Sequence, residues 1–221
     1  MIPAAAIRQS RNPDQRTPDP ETPWSGRAVE FLASSPVVAT TAIAFAIFAV
    51  VFFATSAPFS IPTVEQACGA PPLDVRAFST ADDVATFLDD CGTSGRSAYL
   101  RLQVADLLYP AVSGLFFASA LARTWKHLDP RRPFRRLLVA IPLAGAAFDY
   151  LENVAVWQAL AAYPSQSATD ELLGIASVMK TATFWVAGLA LIAGLVRMGI
   201  VAIVRRLRDG TRPPDSASML E

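Results

Sequence analysis

Four apolar stretches, each close to the roughly 20 residues a helix needs to cross the hydrocarbon core of a bilayer, leave this chain very few architectures. They cover residues 36–57, 102–122, 137–162 and 172–196. Lipid offers no water to satisfy backbone N–H and C=O groups, so apolar segments of this length must satisfy them internally as helices. The expected fold class is therefore all-α, an integral membrane four-helix bundle. The totals agree, with 52% apolar residues and 19 basic against 19 acidic ones. Zero net charge offers no basic surface of the kind nucleic acid requires. The surrounding partners expected from this pattern are membrane lipids, and a homo-oligomer is compatible with it.

Orientation follows from where Lys and Arg collect. The linker between the second and third stretches carries Arg123, Lys126, Arg131, Arg132, Arg135 and Arg136 against Asp129 alone. The segment after the fourth stretch carries Arg197, Arg205, Arg206, Arg208 and Arg212. Basic residues mark cytoplasmic loops, so both termini are expected in the cytoplasm and the protein in the plasma membrane. Cleavage as a signal peptide near Ala54 is disfavoured, because some 35 polar residues precede the first stretch, far more than a normal n-region.

Residues 1–35, rich in Pro, Arg, Asp, Gln and Thr, have too little apolar surface to fold alone and read as a disordered tail. Its end, Trp24 to Leu32, reads either as a short interfacial helix or as a linker. A transmembrane domain occupies 36–204, and 205–221 form a flexible tail with Pro213 and Pro214. The outward loop at 58–100 holds Asp74, Asp82, Asp83, Asp89 and Asp90, together with the two cysteines, Cys68 and Cys91. On that oxidising side the two pair as a disulfide, with unpaired thiols as the alternative. Ser79 and Thr80 followed by Asp82 and Asp83 make a helix start, with a hydroxyl cap and acids in the first turn. Val84, Phe87, Leu88 and Cys91 then share one face of a short amphipathic helix. On the second stretch, Gly114, Ala118 and Ala122 mark a close helix-packing face.

An ionisable group inside such a helix costs about 2.5–3.5 kcal/mol at its centre, so clusters of them are candidate sites. Asp149, Glu152 and Asn153 sit at i, i+3 and i+4, on one face of the third stretch. Asp106 and Tyr109 share a face of the second, and Pro110 removes the hydrogen bond to the Asp106 carbonyl. Ser177, Lys180 and Thr181 share a face of the fourth, where Lys180 is the sole basic residue. At about 1.5 Å rise per residue, Asp106, Tyr109, Asp149, Glu152 and Lys180 all lie about 8–20 Å below the outer boundary. Three helices thus bring polar residues to comparable heights in the outer half of the membrane. Lys180 either joins this cluster or snorkels to the outer interface.

No cofactor is implied. Carboxylate and amide oxygens would suit hard cations, but no metal site is assigned. The sole histidine, His127, lies in the basic linker and reads as a solvated residue. Ser113, Ser119 and Ser177 lack a histidine partner, and their hydroxyls are expected to bond their own helix carbonyls. The order Asp149-x-x-Glu152-Asn153 resembles the Asp-rich diphosphate-binding motifs of membrane prenyltransferases. Those motifs are paired on two helices and face the cytoplasm, however, so no family follows.

Three functions fit. A set of proton donors and acceptors at one depth suits an enzyme of isomerase, cyclase or hydrolase type acting on a lipidic or apolar substrate. In it Asp149 or Glu152 would be acid or base and Asp106 the counterpart, while Tyr109, Asn153 and Lys180 orient or stabilise charge. A structural or interaction protein with a buried polar network is the second. A proton-coupled transporter or channel subunit is the third, disfavoured by the dry run Leu143 to Ala147 below Asp149.

Overall fold

The computed structural model describes residues 23–126, 128 and 132–210. Among these every regular element is helical: α1 (Pro23–Leu32), α2 (Ser35–Ala54), α3 (Ile61–Cys68), a 3-10 turn (Leu73–Val75), α4 (Ala81–Asp90), α5 (Gly92–Ala105), α6 (Tyr109–Lys126), α7 (Arg132–Ala162) and α8 (Asp170–Gly210). Four segments are long and apolar enough to cross a membrane: Ser35–Ala54, Gly92–Lys126, Phe134–Ala162 and Asp170–Arg208. Each contains most of one of the four apolar stretches.

α6 is the central helix, packing against α2, α7 and α8, while α7 and α8 pack extensively on each other. Gly114 permits the α6–α7 approach, since a Cβ there would come within 2.8 Å of the Ala146 Cβ. Ala118 and Ala122, on the same side of α6, are buried as well. α2 stands at the periphery, where Phe52 is its one buried residue and Ile43, Ile47 and Val50 are exposed. A Thr41–Ser119 hydroxyl pair at 2.9 Å ties it to α6. Such outward apolar faces have no aqueous rationale and suit hydrocarbon.

The two ends of the helices differ. At the basic end, Val29 of α1 and Ala33 just after it lie against Ala118, Ala122 and Val139. Glu30 pairs there with Lys126 at 2.7 Å and Arg135 at 3.1 Å. These contacts accompany a helix over residues 23–32, where the end of the tail was expected as either a short helix or a linker; residues 1–22 lie outside the described residues. α8 remains helical to Gly210, into the segment expected as a flexible tail at 205–221, and residues 211–221 again lie outside the description.

The opposite end carries a folded cap rather than a loop with one helix on it. α3, the 3-10 turn, α4 and the first turns of α5 enclose Val64, Leu73, Val84, Phe87, Leu88 and Tyr99, and this core continues into Val156 and Ala159 of α7 and Leu173 of α8. Apolar side chains on four short segments thus bury one another, which no segment could do alone. The face of α4 formed by Val84, Phe87, Leu88 and Cys91 is fully turned inward. Thr80 and Asp83 close a reciprocal capping box at its start, at 2.8 and 3.2 Å. Cys68 at the end of α3 and Cys91 at the end of α4 are joined by a disulfide. α8 touches the cap so closely at Gly174 that a Cβ would stand 2.4 Å from the Ser79 carbonyl oxygen.

Candidate functional site

The second apolar helix is broken where its carboxylate sits. α5 ends with Asp106 as its C-cap, residues 106–108 are non-helical, and α6 restarts at Tyr109 with Pro110 in its first turn. Proline suits a first helical turn and would remove a hydrogen bond from a helix running on through it, so the break falls just before it. Its effect is to set Asp106 and Tyr109 at the junction of two helices, Asp106 turned to Asn153 of α7 and Tyr109 to the phenylalanines of α2.

Opposite, Lys180 of α8 is the hub of a buried ion cluster. Its ammonium donates to the carboxylates of Glu152 and Asp149, the latter at 3.3 Å, and to the main-chain carbonyl of Asp74 at 2.8 Å. Lys180 therefore joins the cluster and does not snorkel away. Glu152 is completely buried and also receives the Ser177 hydroxyl, which lies 3.0 Å from the Leu173 carbonyl of its own helix. Asn153, one turn along α7, donates to Asp106 at 2.8 Å. The arrangement thus brings together Asp106, Asp149, Glu152, Asn153 and Lys180 from three helices.

Three further residues belong to it that the helix-by-helix reading did not select. Asp74, on the 3-10 turn of the cap, is buried and receives Tyr99 at 3.1 Å and Gln103 at 3.2 Å. Tyr99 and Gln103 lie at i and i+4 on α5, with Asp106 a further three residues on, so one polar face at helical spacing was present in the sequence. Placing the start of the second span at 102 left Tyr99 outside it. Asp74 has a weaker signal, a single acid between Leu73 and Val75 after two prolines.

Beside the cluster lies a cavity of about 540 Å³ between α2, α6 and α8. Its polar end is made by Asp74, Asp106, Tyr109, Asp149 and Lys180, and its walls by Phe45, Phe52, Phe117 and Phe184 with other apolar side chains. Glu152 and Asn153 lie behind this wall rather than on it. Tyr109 stacks against Phe45 and Phe52 at 6.1 and 5.7 Å between ring centroids. Its hydroxyl has no hydrogen-bond partner among the described residues. α2 and α8 scarcely touch each other, and Phe53, Trp185 and Ile192 both line the cavity and face outward, so it opens sideways between these helices.

Four carboxyl groups, those of Asp74, Asp106, Asp149 and Glu152, thus share one ammonium, and that ammonium is engaged by two of them. Asp106 has a single amide donor, and Asn153 Oδ1 and Gln103 Oε1 are buried without a partner. No group of three or more His, Cys, Asp or Glu side chains is placed so as to hold a metal ion among the described residues. His127 lies outside them. No protein-family model, curated protein or solved structure matches this chain.

Proposed function

We propose that this is a multi-pass protein of the plasma membrane, a four-helix bundle with both termini cytoplasmic, that performs acid–base chemistry on a lipidic or apolar substrate. The basic residues at one end of the helices support the orientation through the positive-inside rule. The disulfide at the other end fits an oxidising exterior. The cavity then lies in the outer half of the bilayer and opens to lipid between α2 and α8.

One observation carries the enzymatic reading: a sizeable aromatic-walled cavity ends on two carboxylates, Asp106 and Asp149, held differently by their neighbours. Asp149 is fixed by Lys180, whereas Asp106 is held by an amide alone. Two carboxyls in unlike settings divide the roles of proton donor and acceptor, and isomerisation, cyclisation or hydrolysis would use such a pair. Glu152 and Ser177 position Lys180. Asn153 orients Asp106, and Tyr109 presents its hydroxyl to the substrate.

The test is a comparison of membrane lipid extracts from cells carrying the wild-type chain, Asp106→Asn, Asp149→Asn, or no copy. Both variants should reproduce the lipid profile of the deletion while inserting at wild-type levels. A deletion that leaves the profile unchanged, or variants that restore it, overturns the proposal. The competing structural reading draws on the mutual satisfaction of Lys180, Glu152, Ser177 and Asp74. It predicts that the two Asn variants lose stability without any change in lipids.

A further inference from the structure

We infer that the cavity binds one amphiphile whose head group carries a positive charge, an alkylammonium-type ligand with its cation between Asp106 and Asp149. The inference rests on the cavity described above and specifies what it accepts.

Hydrogen-bonding capacity comes first. Asp106 and Asp149 line the polar end, and each uses one carboxylate oxygen, Oδ2 for Asn153 and Oδ1 for Lys180 respectively. The second oxygens, Asp106 Oδ1 and Asp149 Oδ2, have no partner among the described residues. Both can only accept when ionised. Asp106 is 6% exposed, so its free oxygen is served by what occupies the cavity rather than by bulk solvent. The lining cation is already committed, as Lys180 reaches Asp74, Asp149 and Glu152, and the single Tyr109 hydroxyl can serve only one of the two oxygens. A ligand that complements this end must bring N–H or O–H groups, and an ammonium brings up to three.

Charge points the same way. Formally the lining residues Asp74, Asp106, Asp149 and Lys180 leave two negative charges in excess. Aromatic faces complete the setting, since Phe45, Phe52, Tyr109, Phe117 and Phe184 surround the cavity and a cation within reach of such faces is attracted by their quadrupoles. An anionic or phosphate head would meet carboxylates with no free cation. A volume of about 540 Å³ suits a single small ligand, within the roughly 300–1,000 Å³ typical of such sites. The lateral opening past Trp185 and Ile192 provides a path for an apolar tail from the bilayer.

The experiment uses full-length protein in phosphatidylcholine nanodiscs, with empty nanodiscs subtracted, and measures saturable binding of decylamine, decyltrimethylammonium, decanol and decanoate by calorimetry. The expected result is one site per chain at which decylamine binds at least about tenfold tighter than decanol, with decanoate weakest. Asp106→Asn should reduce that preference to about threefold or less without weakening decanol. The wild-type series decides by itself should the variant fail to fold. Decanol equal to or tighter than decylamine overturns the cationic ligand while leaving a cavity for apolar substrates intact. Absence of saturable binding for all four overturns both this inference and the lipidic-substrate reading. A thiol introduced by Thr181→Cys, in the cavity wall, should be protected from alkylation by decylamine, and lack of protection places the binding elsewhere.

Discussion

Replacing Lys180 by Met removes the cation that Asp149 and Glu152 share while keeping a chain of similar length. Asp149 then loses the one hydrogen bond it has, Glu152 retains only Ser177, and the Asp74 carbonyl loses its donor. Both carboxyl side chains are nearly inaccessible, at 5% and 0% exposure, so solvent does not take the place of the ammonium. Breaking a buried pair from one side costs about 3–5 kcal/mol, because the charge left behind is unpaired. The lost carbonyl bond adds roughly 0.6 kcal/mol, the mean for hydrogen bonds between helices in a membrane. A destabilisation of about 4–6 kcal/mol is the result, provided the carboxyls stay ionised. Combining Lys180→Met with Asp149→Asn and Glu152→Gln removes the charges together and should return stability to within about 1 kcal/mol of wild type. The assay is reversible unfolding in mixed micelles with increasing SDS, followed by helicity. If Lys180→Met alone shifts stability by less than about 0.5 kcal/mol, as a typical surface substitution does, the ion cluster as described is refuted.

Converting Cys68 and Cys91 to serine opens a loop with a sequence separation of 23. Chain-entropy arguments predict a loss of about 3 kcal/mol, read as a lower thermal midpoint equal to that of the wild type under reductant. Gly174→Ala should cost about 1–3 kcal/mol through overpacking, because the new methyl meets the Ser79 carbonyl and the Phe78 ring, and the same thermal scan reports it. At the basic end, the hydrogen bond from Lys126, aided by Arg135, holds the Glu30 carboxyl below its ordinary 4.5 against the opposing effect of desolvation. A depressed folded value means that this contribution is present above pH 4.5 and is lost as pH falls through the lower folded value. Glu30 is half-exposed, so the effect should stay under about 1 kcal/mol. Glu30→Gln should abolish that acid-dependent step in protease protection of α1.

The four long helices were legible because hydropathy and length are local properties, readable without knowing any neighbour. So was the inward face of α4, whose apolar residues recur at helical spacing. The cluster was legible only as far as periodicity reaches: it put Asp149, Glu152 and Asn153 on one face and Lys180 at a comparable depth. Periodicity does not say which helix lies beside which, and the cavity between α2 and α8 depends on that. Asp74 was out of reach for a related reason. It comes to Lys180 through the packing of the cap, with Leu73 buried beside it, and a loop aspartate carries no mark of such a path.

Chain order gives the α7–α8 ion pair a consequence for synthesis. Translation delivers Asp149 and Glu152 first and Lys180 almost thirty residues later, so α7 on its own would meet lipid with both acids uncompensated. Each would oppose insertion by about 2.5–3.5 kcal/mol at mid-helix. The connection between Ala162 and Asp170 is short. In a membrane, that would let the two helices insert as one hairpin, with α8 supplying the counter-charge for α7.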